Sequence, residues 1–247
     1  MNNPNHAKLM NFRNVWALSR KELQLYFYSP VAYIILFVFS LVLGIFFTYY
    51  LAAIRDAVII MPAFMQVFLN LLLFATPFYT MGLLAGEKRA GTIEVLWSLP
   101  VTDLEIAAGK FLGSFLFFLL LTAGTLVYVI LLLIIGKPDL GMIVANYVGI
   151  VLMGAAFISF GLLASSFTKN QIVSAMLCFL VLLLFMLLNF LTGYLKGLPR
   201  DILSYFVITE HFMAFNKGVF SLAGFVFLLS ITVFNVYLTS RVLGGKK

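Results

Sequence analysis

Three kinds of residue in this 247-residue chain could carry chemistry, and their spacing narrows what each can do. Lysines that follow glycine, at Gly109-Lys110 and Gly136-Lys137, call for a check against phosphate-cradling loops, in which backbone amides and a lysine hold ATP and a following hydroxyl holds magnesium. Phe111 and Pro138 stand where that hydroxyl belongs, and no G-x-x-x-x-G-K-[ST] occurs. The chain has no ATPase motif of its own. His6, His211 and the single cysteine, Cys178, are isolated from one another, which rules out a ligand cluster for a metal and a disulfide framework. No convergent His, Asp, Glu or Ser set suggests an embedded enzyme, so neither a catalytic residue nor a cofactor is expected in this chain.

What remains is charge in unusual places. In VWALSRKELQLYFY, Val15 to Tyr28, helical spacing gathers Arg20, Lys21 and Gln24 on one side, with Val15, Trp16, Leu18, Leu23, Tyr26 and Phe27 on a wide opposite arc. Glu22 projects into that arc, between Leu18 and Tyr26. A carboxylate there is costly unless satisfied, which predicts a basic partner, Lys88 or Arg89. A second concentration runs from Gly86 to Lys110. Glu87, Lys88 and Arg89 lead into a short helix, Thr92 to Leu99, stopped by Pro100, and Thr102 with Glu105 forms a capping box for a helix that continues from Asp103 to Ile135.

The elements that must position these residues follow from composition. Hydrophobic residues make up 63% of the chain and charged residues 10%, with mean hydropathy +1.10, which excludes a soluble globule. Apolar stretches at 31–51, 61–86, 111–136, 140–167, 171–195 and 219–240 are each long enough to cross a bilayer. The expected fold is an all-α integral membrane protein, one domain over 1–247, with six transmembrane helices. An interfacial amphipathic helix lies within 1–30, a loop over 87–110, and short re-entrant helices over 192–221. The first stretch reads as a retained span rather than a signal peptide.

Six spans put both termini on one side. Eleven basic residues fall on that side and five on the other (Arg55, Lys137, Lys196, Arg200 and Lys217), which places the termini in the cytoplasm. No ionisable residue lies well inside a span, so proton relays and voltage sensing are not expected and energy must come from elsewhere. The neutral polar residues Asn70, Thr76, Asn146, Asn189 and Asn235 are expected to bond between helices. Gly82-x-x-x-Gly86 and Gly109-x-x-x-Gly113 suggest close helix contacts in a dimer. Toward the far end, Tyr205, Phe206, Glu210, His211 and Phe212 form an aromatic-rich stretch with glycines at 193, 197 and 218 as candidate hinges.

Glu87-Lys88-Arg89, Gly91-Thr92, Glu94, Leu96 and Pro100, then Gly109-Lys110, resemble the E-K-R-x-G-T-x-E-x-L-x-x-x-P element of type-2 ABC exporter permeases. Ser165 to Gln171 resembles that family's loop between spans four and five, and Leu203-Ser204-Tyr205-Phe206 with Glu210-His211-Phe212 its segment before the last span. The opening Arg20-Lys21-Glu22-Leu23, with Tyr26 to Tyr33, resembles most the gliding-motility-associated branch. The resemblance implies a coupling helix docked on a separate ABC ATPase, two copies per complex, which bind ATP and magnesium. It implies export across the bacterial inner membrane, a second permease copy or paralogue, lipid contact, and an outer gate at Tyr205 to Phe212. No nucleic-acid partner is expected. Trp97 and Leu96 are the expected anchors on the ATPase. The alternative reading is an ATP-driven protein that remodels an envelope complex without translocating a solute.

Overall fold

The computed structural model describes residues 10–54, 57–195 and 197–245, and for Ala57, Pro199, Asp201, Ile202 and Phe206 the backbone alone. All regular structure among the described residues is helical. Helix α1 (Phe12–Tyr28) is separated from α2 (Pro30–Ala53) by Ser29, whose hydroxyl accepts the Val31 amide while Pro30 occupies a first-turn position that needs no donor. There follow α3 (Ala57–Thr80), α4 (Ala85–Ala90), α5 (Ile93–Ser98), α6 (Asp103–Gly124), α7 (Leu126–Ile135), α8 (Leu140–Phe167), α9 (Gln171–Thr192), α10 (Leu198–Phe206), α11 (Ile208–Asn216) and α12 (Leu222–Gly244). Among the described residues, six helical stretches are long and apolar enough to cross a membrane: Pro30–Ala53, Val58–Ala90, Asp103–Ile135, Leu140–Phe167, Gln171–Thr192 and Leu222–Gly244. Each overlaps one of the six apolar runs in the sequence.

Helix α8 occupies the middle, with 72% of its apolar window buried against 17% for α9. It contacts α3, α6, α9, α11 and α12. Small residues let these neighbours approach. A β-carbon added at Gly149 would lie 2.7 Å from Cβ of Phe215 and 3.1 Å from the Phe212 ring. Gly149 is nine residues into α8, about 13 Å along its axis, so α11 dips that far beside it before α12 returns. Lipid cannot satisfy irregular backbone at such depth, and α11 is accordingly enclosed by α8, α9 and α12.

Two expectations need correction. The third span is not one unbroken helix: it is interrupted at Thr125, between α6 and α7, where the Thr125 hydroxyl donates to the Thr122 carbonyl and pairs with the Tyr147 hydroxyl at 2.9 Å. The small-residue pairs make contacts within the chain. A β-carbon at Gly109 would stand 2.5 Å from Leu18 Cβ, and one at Gly113 2.6 Å from Glu22 Cβ, because α1 lies directly on that face of α6. Gly82 and Gly86 face Gln171. Of the neutral polar residues, Asn235 joins α12 to Ser159 of α8 at 3.0 Å and Asn146 reaches Asn216, whereas Thr76 donates to Leu72 in its own helix.

Helix α1 is therefore bolted on one side rather than resting on the membrane surface alone. Val15, Ser19 and Glu22 are its buried residues, and Phe12, Trp16, Leu25, Phe27 and Tyr28 stay exposed with Arg13, Arg20 and Lys21. Gly113→Leu is expected to lift α1 from α6 and lower stability by about 1–3 kcal/mol, the usual cost of overpacking, read as an earlier thermal transition in detergent. The same change at Gly124, where nothing lies within 4 Å of an added β-carbon, is the matched control.

Candidate functional site: a buried ion triad beneath a helical elbow

The elbow begins where α3 ends. Over residues 81–84 the chain turns before α4, leaving amides without helical partners. Leu84 and Ala85 N–H both donate to Ser165 Oγ, at 3.0 and 2.9 Å, and the Ser165 hydroxyl donates to the Met81 carbonyl at 3.0 Å. One hydroxyl thus uses its donor and both acceptor positions. Helix α4 stops at Gly91, whose φ of 71° suits glycine, and the Gly91 amide donates back to Glu87 O. After α5, Thr102 caps α6: its hydroxyl accepts the Glu105 amide at 3.2 Å, and the Glu105 carboxylate accepts the Thr102 amide at 2.8 Å. The expected capping box is present. The same carboxylate also accepts the Asn11 amide at 2.6 Å and the Asn14 side chain at 3.3 Å, pinning the start of α1 to the start of α6.

Under the elbow sits Lys110, two turns into α6, its side chain 4% exposed. Its ammonium lies 2.9 Å from Glu22 Oε2 of α1 and 3.0 Å from Glu87 Oε1 of α4. Lys21 approaches the same Glu87 oxygen at 3.9 Å from the exposed side, where screening weakens it. The other Glu87 oxygen is buried without a hydrogen-bond partner. Glu22 does have the basic partner its position demands, but it is Lys110, not Lys88 or Arg89. Lys88 reaches across to the Ser166 carbonyl at the end of α8, and Arg89 faces outward. Lys110 lies between Gly109 and Gly113, the two residues that admit α1, so what α1 presents there meets it. Lower on the same face, the Tyr26 hydroxyl donates to the Tyr79 carbonyl at 2.7 Å and its ring stacks on Phe117 at 4.6 Å.

The short helix α5 divides its side chains cleanly. Ile93 and Leu96 turn inward, into a cluster with Leu83, Leu84, Ile106, Ala107, Leu162 and Leu243, and Trp97 packs half-buried against it. Leu96, at 4% exposure, is a core residue, so the apolar side chains offered outward are Val95 and Leu99, at 63% and 45%. Around them Arg89, Gly91, Thr92, Glu94, Ser98 and Pro100 are exposed. At the opposite end of the spans, His211 stacks on Phe227 at 4.1 Å with Nε2 3.0 Å from the Tyr205 carbonyl. Tyr205 is exposed, Glu210 half-buried and Phe212 fully buried; the side chain of Phe206 lies outside the described residues. Gly197 and Gly218 have positive φ, whereas Gly193 is right-handed. No group of three or more His, Cys, Asp or Glu among the described residues could hold a metal.

Because truncating one member of a buried ion pair strands the other, Lys110→Ala is expected to cost about 3–5 kcal/mol, seen as a lowered melting temperature in detergent. A Glu22→Gln, Glu87→Gln, Lys110→Met triple variant, which removes all three charges, should recover most of it.

The family model described as ABC-2 family transporter protein matches residues 16–247, from within α1 through the end of α12. No curated protein matches the chain. With nearly all of its length inside that match, and with six apolar helices to cross a bilayer, the chain belongs to the ABC-2 transporter family as a multi-pass permease subunit.

Proposed function

We propose that this subunit exports a substrate across the bacterial inner membrane, with its termini in the cytoplasm, powered by two copies of a separate ATPase that hold ATP and magnesium, and paired with a second copy or a paralogue. The observation that carries the proposal is the elbow: a rigid helical knuckle offering Val95 and Leu99 outward while Lys110 ties its root to α1 and α6. Force applied to α5 passes through Leu96 into α6, α8 and α12, and through Glu87 and Lys110 into α1. Charge bias supports the orientation. The likeness of Arg20-Lys21-Glu22-Leu23 and Tyr26 to Tyr33 to the gliding-motility-associated branch supports an envelope setting.

At the far end, α10 and α11 form the gate. Coupling between two ends needs an element with two arrangements: Phe212, seated against Gly149, leaves its seat as α11 tilts about the positive-φ Gly218 that follows the helix.

Two measurements test this reading. Val95→Glu with Leu99→Glu should lower co-purification of the ATPase about tenfold or more, as loss of interface anchors does, without shifting the melting temperature of the permease. Leu96→Ala should instead cost about 2–5 kcal/mol of stability, being a core truncation. In a Cys178→Ala background, Phe212→Cys should resist a membrane-impermeant thiol reagent in the resting complex and react during ATP turnover. Equal labelling in all nucleotide states would remove the gate from the proposal.

A further inference from the structure

Glu22 does more than hold Lys110. It also lines a cavity of about 260 Å³ at the termini-side end of the spans, together with Tyr26, Ser29, Tyr79 and Gln171. Below it, between α2 and α3, runs an apolar groove of about 280 Å³ bounded by Ile34, Val38, Phe39, Leu71, Phe74 and Ala75. Val31, Ile35 and Phe78 line both, so the two adjoin. Together they fall in the range of ligand sites, about 300–1,000 Å³. Their chemistry is divided along the bilayer normal: polar groups gather in the upper chamber, and the groove beneath is walled by hydrocarbon alone.

That division matches an amphiphile. Charge selects among amphiphiles. The two carboxylates, Glu22 and Glu87, face one buried ammonium, and the second lysine, Lys21, is 56% exposed and 3.9 Å from its nearest carboxylate oxygen. Glu22 is the carboxylate that lines the chamber, and the triad behind it, with two carboxylates to one buried ammonium, carries an excess of negative charge, which favours a cationic head and disfavours an anionic one. Ser29 and the Gln171 amide supply donors for a neighbouring phosphate. The chamber is open to one side, and Val31, Phe74 and Phe78 on the groove rim are exposed, so a molecule of the adjoining leaflet can enter laterally.

We infer that the chamber and groove bind one phospholipid with an ammonium headgroup, its amine on Glu22 and an acyl chain between α2 and α3. Because Glu22 Oε2 already holds Lys110, an ammonium on Glu22 competes for the charge that anchors α1 to α4 and α6. Occupancy of the site is thereby felt at the elbow.

The test uses the purified permease–ATPase complex, equilibrated in nanodiscs of equal parts phosphatidylethanolamine, phosphatidylglycerol and phosphatidylcholine, with retained lipid identified by native mass spectrometry after mild detergent extraction. Phosphatidylethanolamine should be retained over phosphatidylglycerol about tenfold, the factor expected of one charge-assisted hydrogen bond. Glu22→Gln should erase that preference. Val31→Trp, a rim change that leaves the ion triad untouched, should abolish retention of any lipid at this stoichiometry. Retention in proportion to supply, a preference for phosphatidylglycerol, or retention unchanged by Val31→Trp would each overturn the inference. So would a cross-link from Ile34→Cys to a second copy of the chain showing that another helix covers the groove. The readout requires no ATP turnover, so failure of the export reading leaves it standing, and its own failure leaves export untouched.

Discussion

An ammonium buried among helices is tolerated only where carboxylates meet it, and the arrangement of this subunit on its termini side is organised around that demand. Lys110 cannot leave α6, so α1 must bring Glu22 to it and α4 must bring Glu87. Meeting both fixes the lie of α1 along α6 and the angle at which the chain turns after α3. Glycines at 109 and 113 are the steric condition for this: any side chain there would hold Glu22 away from its partner. Electrostatic requirement and backbone approach are here two views of one contact.

The same economy appears in the turn itself. A change of direction within an apolar helix strands amides, and Ser165 answers with a single hydroxyl from α8, the most buried helix. Lys88 adds a contact to the neighbouring Ser166 carbonyl. The elbow is thus referred to α8 through two adjacent residues and to α1 and α6 through Lys110. Because α5 packs its inner face on residues from α6, α8 and α12, displacing it moves a frame instead of a loop.

Much of this was readable from the sequence, for identifiable reasons. Apolar runs long enough to cross a bilayer have few alternatives, and Thr102 with Glu105, Gly91 and Pro100 are local signals whose meaning depends on nearby backbone only. Glu22 was legible as a carboxylate in need, but its partner was not. Lys110 is 88 residues away in sequence, and at the edge of an apolar run a lysine reads as a loop charge. Leu96 and Val95 are adjacent and both apolar; which one faces inward depends on where Leu162 and Leu243 lie, a tertiary fact. The interruption at Thr125 was invisible because Gly-Thr within an apolar run fits an unbroken helix equally well, and the Tyr147 hydroxyl that meets it belongs to the next span.

The dual character of α1, amphipathic yet bolted, follows from the order of synthesis. Its anchors Glu105 and Lys110 are translated some 94 and 88 residues after the groups they hold, Asn11 and Glu22. At ordinary elongation rates that is a delay of roughly 4–18 s, while α2 and α3 are emerging. During that interval α1 has no helix to pack on, and Glu22 has no ammonium. Its outward face of Phe12, Trp16, Phe27 and Tyr28 with Arg13 and Arg20 gives it a provisional berth at the lipid surface, from which it can roll onto α6 once the third span arrives. The helix carries two addresses, one for the nascent chain and one for the finished fold, on different residues of the same seventeen.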